Sequence, residues 1–179
     1  MNVAPHPAED DDSEIRPEDE SRLMRRYHLG AVAEASATME SVLRAIFSSL
    51  LGSPRATVVA AGQSGTWLAD NALAVVDAND SVRAPSLGEP ENIARFRAAI
   101  AMSRDLNARR NRLIHGVWVE GLPDGRLGLS QLRSRWRQPW PLAEEVQLED
   151  IEKLASDLEA AVSELMMASF EVKGIIAGT

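Results

Sequence analysis

The sequence contains no cysteine. Disulfides, thiolate zinc sites and cysteine nucleophiles are therefore excluded, and nothing argues for an oxidising compartment. Also missing is any apolar run approaching the ~20 residues that a membrane-spanning helix needs. The first residues are polar and acidic, where a secretory signal is basic and then apolar. These absences predict a soluble, unprocessed, cytoplasmic protein with no membrane partner. There is no His-Glu-x-x-His pattern, and His6, His28 and His115 are too scattered to suggest a metal set, so neither a metal nor a cofactor is expected. Phosphate-binding and dinucleotide glycine fingerprints are absent too. Gly62-Gln63-Ser64-Gly65 lacks the glycine spacing of a nucleophile elbow.

What is present is a chain of 179 residues, long enough for one core without covalent or metal staples. Its formal charge of -8 is unevenly placed: residues 1–20 alone carry -7, and the remainder is nearly balanced at -1. Residues 1–15 hold Pro5, Pro7 and an acid run, and cannot bury enough apolar surface to offset ordering. They are read as a disordered leader, with residues 16–179 as a single domain. Between Arg104 and Arg137, eight arginines face three acids, a local charge of +5 where a phosphate would be attracted.

Apolar periodicity predicts four helices. From Leu23 onward, Val32, Ala35, Met39, Val42/Leu43, Ile46 and Leu50 recur at three- and four-residue steps, and Leu51-Gly52-Ser53-Pro54 ends the run. A second pattern through Val58, Val59, Trp67, Leu68, Leu73 and Val76 is weakened at Gly62 and Gly65, which predicts a break. Asp77–Ser81 and Pro85–Gly88 read as loop. Pro90 then opens a third helix with Ile93, Phe96, Ile100, Ser103, Asn107, Arg110 and Ile114 at helical spacing, a stripe that turns polar toward its end. Val117–Glu120, a Pro123-Asp124-Gly125 turn and Arg126–Ser130 read as a β-hairpin. After a Pro/Trp-rich loop, the last helix runs through Ile151, Leu154, Leu158, Val162, Leu165 and Ser169, with Glu149, Asp150 and Glu152 favourably near its positive end. The fold class expected is mainly α: an antiparallel four-helix bundle-like domain with a β-hairpin inserted between the third and last helices.

The residues with chemical content are Arg110, Asn111 and His115 at the end of the third helix. Continuing the Phe96 and Ile100 register places Arg110 where an aliphatic side chain is expected, and a guanidinium is rarely buried without a partner. Asn111 and His115 are four apart and neighbours on one face. Arg110 points roughly 140° from His115 on an ideal helix, so the two converge only if the helix end frays or a second copy completes the pocket across a two-fold axis.

Arg110-Asn111, then His115-Gly116 and Trp118, resembles the signature of the HEPN family, the higher eukaryote and prokaryote nucleotide-binding domains. The resemblance spans about nine residues, together with the helix order and the place of the hairpin. Arg22 with His28 has a similar spacing but lacks the following asparagine and the helix-closing position. The resemblance implies an all-α homodimer whose two motif copies face RNA. It also implies metal-independent cleavage by ribose 2′-hydroxyl attack, with catalytic roles for Arg110, Asn111 and His115: His115 as acid or base, Arg110 on the phosphate, and Asn111 orienting one or the other. It further implies a place among toxins or defence effectors, with a protein antitoxin or regulator as a possible partner. The alternative is a noncatalytic binding or regulatory module for RNA, a nucleotide or a protein. Arg110 would then form a buried or interfacial ion pair, to Glu120 or Asp105 for example, and His115 would cap the helix. Arg133, Arg135 and Arg137 beside Trp136 could track an RNA backbone, though such alternation more often marks a protected edge strand.

Overall fold

Helix α1 (Pro17–Leu51) begins on a proline, whose missing N–H is no loss in a first turn. Thirty-five residues at 1.5 Å each make it about 50 Å long. It buries Val32, Ala35, Met39, Leu43 and Ile46, the predicted face. The computed structural model describes residues 17–81, 88–119, 128–130 and 144–172. The acidic leader, the hairpin turn at residues 123–125, Arg126 and the Arg133/Arg135/Arg137 stretch lie outside the described residues.

Gly52, with φ of +58°, ends α1, and Ser53 accepts from the Arg55 amide to start α2 (Pro54–Ala60). The break expected near Gly62 is real: α3 (Gly65–Ser81) is a separate helix, and Gly62 lies in the left-handed region. Two details differ from expectation. In α2 the buried positions are Ala56 and Ala60, while Val58 and Val59 face outward, because a helix this short turns only one narrow stripe inward. Asp77–Ser81 is helical rather than loop; Val76 is buried, and Asp77 pairs with Arg97 on the next helix at 2.9 Å, which favours another turn.

Helix α4 (Pro90–His115) lies antiparallel to α3, as Asp70 meets Arg104 and Asp77 meets Arg97. It is also antiparallel to α5 (Leu148–Glu171): Arg109 meets Asp157, and Arg95 binds Glu164 at 2.6 Å and Glu171 at 2.7 Å. These pairs are largely exposed and screened by solvent, so they contribute little, whereas fully burying a side chain such as Phe96, Leu158 or Leu165 contributes roughly 1.5–3 kcal/mol. Burial therefore holds the bundle together, and the pairs select its register. Buried residues from all five helices, with Leu129 and Val146, form one cluster.

The hairpin is present between α4 and α5. Strand β1 (Val117–Val119) pairs antiparallel with β2 (Gly128–Ser130), with Val117 opposite Ser130. A third short strand, β3 (Glu144–Glu145), adds to β2 in a stretch read as loop, because two exposed glutamates carry no β-pattern of their own. Gly116, between α4 and β1, has φ of -76°, so the left-handed region does not explain it. Close approach does: a Cβ there would lie 2.4 Å from Leu129 Cδ1 and 2.7 Å from the Arg112 carbonyl oxygen. Gly116→Ala should therefore push the sheet off the helix end and cost about 1–3 kcal/mol, roughly 2–12 °C in Tm for a chain of this size. Thermal unfolding checks it; an unchanged midpoint would mean that the sheet does not bear on α4.

Candidate functional site

The C-terminal half of α4 changes character along one stripe. Phe96 and Ile100 are fully buried apolar residues; one turn on, Ser103 is buried and donates to the Ala99 carbonyl at 2.9 Å, an interaction available inside any helix. Next comes Asn107, only 1 % exposed, against Gly65 at the first turn of α3. A Cβ at residue 65 would lie 2.3 Å from Asn107 Nδ2, so only glycine lets the two helices close there. The Nδ2 group is buried and has no hydrogen-bond acceptor among the described residues. Sequence reasoning placed Asn107 on the stripe without assigning it a role, and Gly65 as a helix weakener; their contact joins residues far apart in the chain.

Arg110 is partly buried. Its Nη1 donates to Asn111 Oδ1 at 2.9 Å, and its Nε is buried with no acceptor. Relative to Asn107, residues 110 and 111 sit about 60° to one side and 40° to the other, so reaching Asn111 draws the guanidinium across the line through Asn107 and Ile114. Asn111 thus orients the arginine, and its own amide N–H groups add further donors to the same surface.

The neighbouring arginines behave differently. Arg104 meets Asp105 at 3.3 Å, Arg109 meets Asp157 at 3.2 Å, and Arg112 pairs with Glu144. Much of the positive charge visible in this part of the sequence is thereby compensated. Among the described residues Arg110 has no carboxylate partner; Asp105, one of the two considered, is engaged by Arg104, and Glu120 lies outside the described residues. A partly buried guanidinium without a counter-ion attracts an anion, since its desolvation is offset only when an acceptor arrives.

His115 is the last residue of α4 and is exposed. The helix does not fray before it, and its imidazole makes no hydrogen bond among the described residues, so helix capping is not its role there. It lies on the Asn111 flank, one turn on. The structure brings Arg110 and Asn111 together and leaves His115 unbonded to either. Trp118 follows in β1, with the Arg25 guanidinium of α1 5.5 Å from its ring centroid. Arg25 is itself buried, and a cation over an indole is favourable when desolvated. That contact carries α1 to the edge of the site, and nothing in the sequence pattern signalled it.

A separate cleft of about 190 Å³ opens between α4, β3 and the start of α5, lined by Arg112, Leu113, Glu144, Val146 and Leu154 among others. None of Arg110, Asn111 and His115 lines it. No group of three or more His, Asp or Glu side chains suited to a metal occurs among the described residues, and no described helix is long and apolar enough to cross a membrane. Comparison with protein-family models, curated proteins and solved structures finds no match to the chain.

The α4–α5 ion pairs make the site's support sensitive to acid. The hydrogen bond from Lys153, with a further one from Arg109, holds the Asp157 carboxyl below the ordinary aspartate range, and Arg95 does the same for Glu164. Both carboxyls are depressed by folding, so their contribution is complete above the unfolded-state values near pH 4 and disappears as pH falls through the lower folded values. Thermal stability should therefore decline below about pH 4 more steeply in the native chain than in an Asp157→Asn, Glu164→Gln variant. Parallel curves for the two would show that these pairs do not contribute.

Proposed function

We propose that the chain is a metal-independent endoribonuclease of the HEPN type that acts as a homodimer. The observation that carries this reading is Arg110, a partly buried guanidinium fixed by Asn111, with a buried Nε and no carboxylate partner among the described residues. Its fork of donors matches the nonbridging oxygens of a phosphodiester, and it would stabilise the charge that grows there during displacement. The group comprises a guanidinium, an amide and an imidazole. These suit charge stabilisation and proton transfer, and none is a carboxylate that would hold a hard cation.

In this mechanism a neutral His115 takes the proton from the ribose 2′-hydroxyl. The 2′-oxygen attacks the adjacent phosphorus, the bond to the 5′-oxygen breaks, and the leaving oxygen takes a proton from the second copy's His115. The products are a 2′,3′-cyclic phosphate and a 5′-hydroxyl. Two imidazoles are required, which is why the dimer belongs to the proposal. A role as a toxin or defence effector, held in check by a protein regulator, rests on the resemblance alone.

That His115 has no orienting partner among the described residues favours a second reading, in which the same surface binds RNA without cutting it. One set of assays separates the two. The native chain should cleave single-stranded RNA in excess chelator and leave 2′,3′-cyclic phosphate ends. His115→Ala should lose cleavage by about 10²–10⁴-fold while retaining RNA binding, and Arg110→Ala should lose both. Cleavage that requires added metal, or that survives His115→Ala, contradicts the mechanism; binding by the native chain without any cleavage establishes the second reading.

A further inference from the structure

We propose that Asn107 and the N-terminus of α3 complete an oxyanion seat behind Arg110, so that one phosphoryl oxygen is received by donors from two helices. The proposal rests on Arg110 being a phosphate-binding group, and extends that site to residues that the signature does not contain.

Asn107 Nδ2 and Arg110 Nε are both buried N–H donors, both lack acceptors among the described residues, and neither can satisfy the other. They lie three residues apart on α4, where side chains are neighbours and lean toward the helix N-terminus, and the pull of Asn111 carries the guanidinium over the Asn107 line. The third contributor is the seventeen-residue α3. Ser64 caps it, accepting from Trp67 N at 3.2 Å through its hydroxyl and from Leu68 N at 2.9 Å through its carbonyl. The amides of Gly65 and Thr66 have no intrahelical acceptor by the geometry of a first turn, and the partial positive charge of the helix end is located there. Asn107 abuts Gly65.

Asn107 thus joins the first turn of α3 to the stretch of α4 that carries Arg110, and the acid close by on α3, Asp70, lies on the Arg104 side at 3.8 Å. Buried donors without acceptors are rare in folded proteins because each costs free energy. An apolar side chain of similar size at position 107 would remove that cost. The arrangement is explained if an anionic oxygen occupies the seat during function.

The test uses the full chain with two probes: inorganic phosphate, read as a rise in Tm, and a single-stranded oligonucleotide with 2′-O-methyl riboses, read as an affinity. Asn107→Leu removes the donor while keeping the branched shape and the number of side-chain heavy atoms. It should fold, melt a few degrees higher than the native chain in the absence of phosphate, lose most of the phosphate-dependent rise, and bind the oligonucleotide about tenfold more weakly. Asn107→Asp supplies the missing acceptor from within; it should pin Arg110 and abolish the response to either probe. If Asn107→Leu keeps the native response to both probes, or fails to fold, the seat is refuted. Arg110→Ala distinguishes the levels: loss of response there with a native response in Asn107→Leu overturns only the seat, whereas a native response in Arg110→Ala overturns the phosphate site itself. A response to phosphate but not to the oligonucleotide identifies a small-anion site and contradicts the link to RNA.

Discussion

A guanidinium taken part of the way out of water needs something negative near it, and among the described residues Arg110 is held without a carboxylate partner. The hydrogen bond from Nη1 to Asn111 Oδ1 fixes its plane but contributes no charge. A neutral acceptor satisfies one donor of five and leaves the electrostatic demand in place. Around it the other arginines of α4 are paired by carboxylates arriving from α5, β3 and their own helix. These pairs leave Arg110 without a carboxylate partner among the described residues. One turn back on the same helix, Asn107 is neutral and supplies no counter-charge.

The scaffold keeps this arrangement from relaxing. Asn107 cannot retreat, because it is packed against Gly65, and α3 cannot shift without disturbing Trp67 on Phe47 of α1, whose rings lie 5.3 Å apart. At the other end, Gly116 lets Leu129 approach the last turn of α4, so that His115 ends the helix and Trp118 is placed under Arg25. A single long helix thus delivers the arginine, the amides and the imidazole. Its two neighbours determine which of those groups remain available for an incoming ligand.

Much of this was readable in advance, for a physical reason. Periodicity reports which side of a helix faces the core, so Val32 to Ile46 on α1, Phe96 and Ile100 on α4, and Leu154 to Leu165 on α5 were legible, as was the Gly52-Ser53-Pro54 junction. The hairpin followed from alternation. Pattern failed where the cause lies elsewhere in the chain: Asp77–Ser81 is helical with an arginine twenty residues away, and β3 exists because β2 offers it an edge. The site divides in the same way. Arg110, Asn111 and His115 are local and visible. Which arginine would stay without a carboxylate depends on acids contributed by other elements, and the contacts of Asn107 with Gly65 and of Arg25 with Trp118 are tertiary. Net charge was the least informative quantity, because ion pairing neutralises several of the arginines it counts.

The most direct measurement is the Arg110 side-chain Nε–H resonance in a proton–nitrogen correlation spectrum, followed as a noncleavable 2′-deoxy dinucleotide monophosphate is added. The account predicts a downfield proton shift and slowed exchange with water, as the unbonded donor acquires a phosphate oxygen. A resonance that stays in place at saturating ligand, while other signals respond, would show that Arg110 is not where the anion binds.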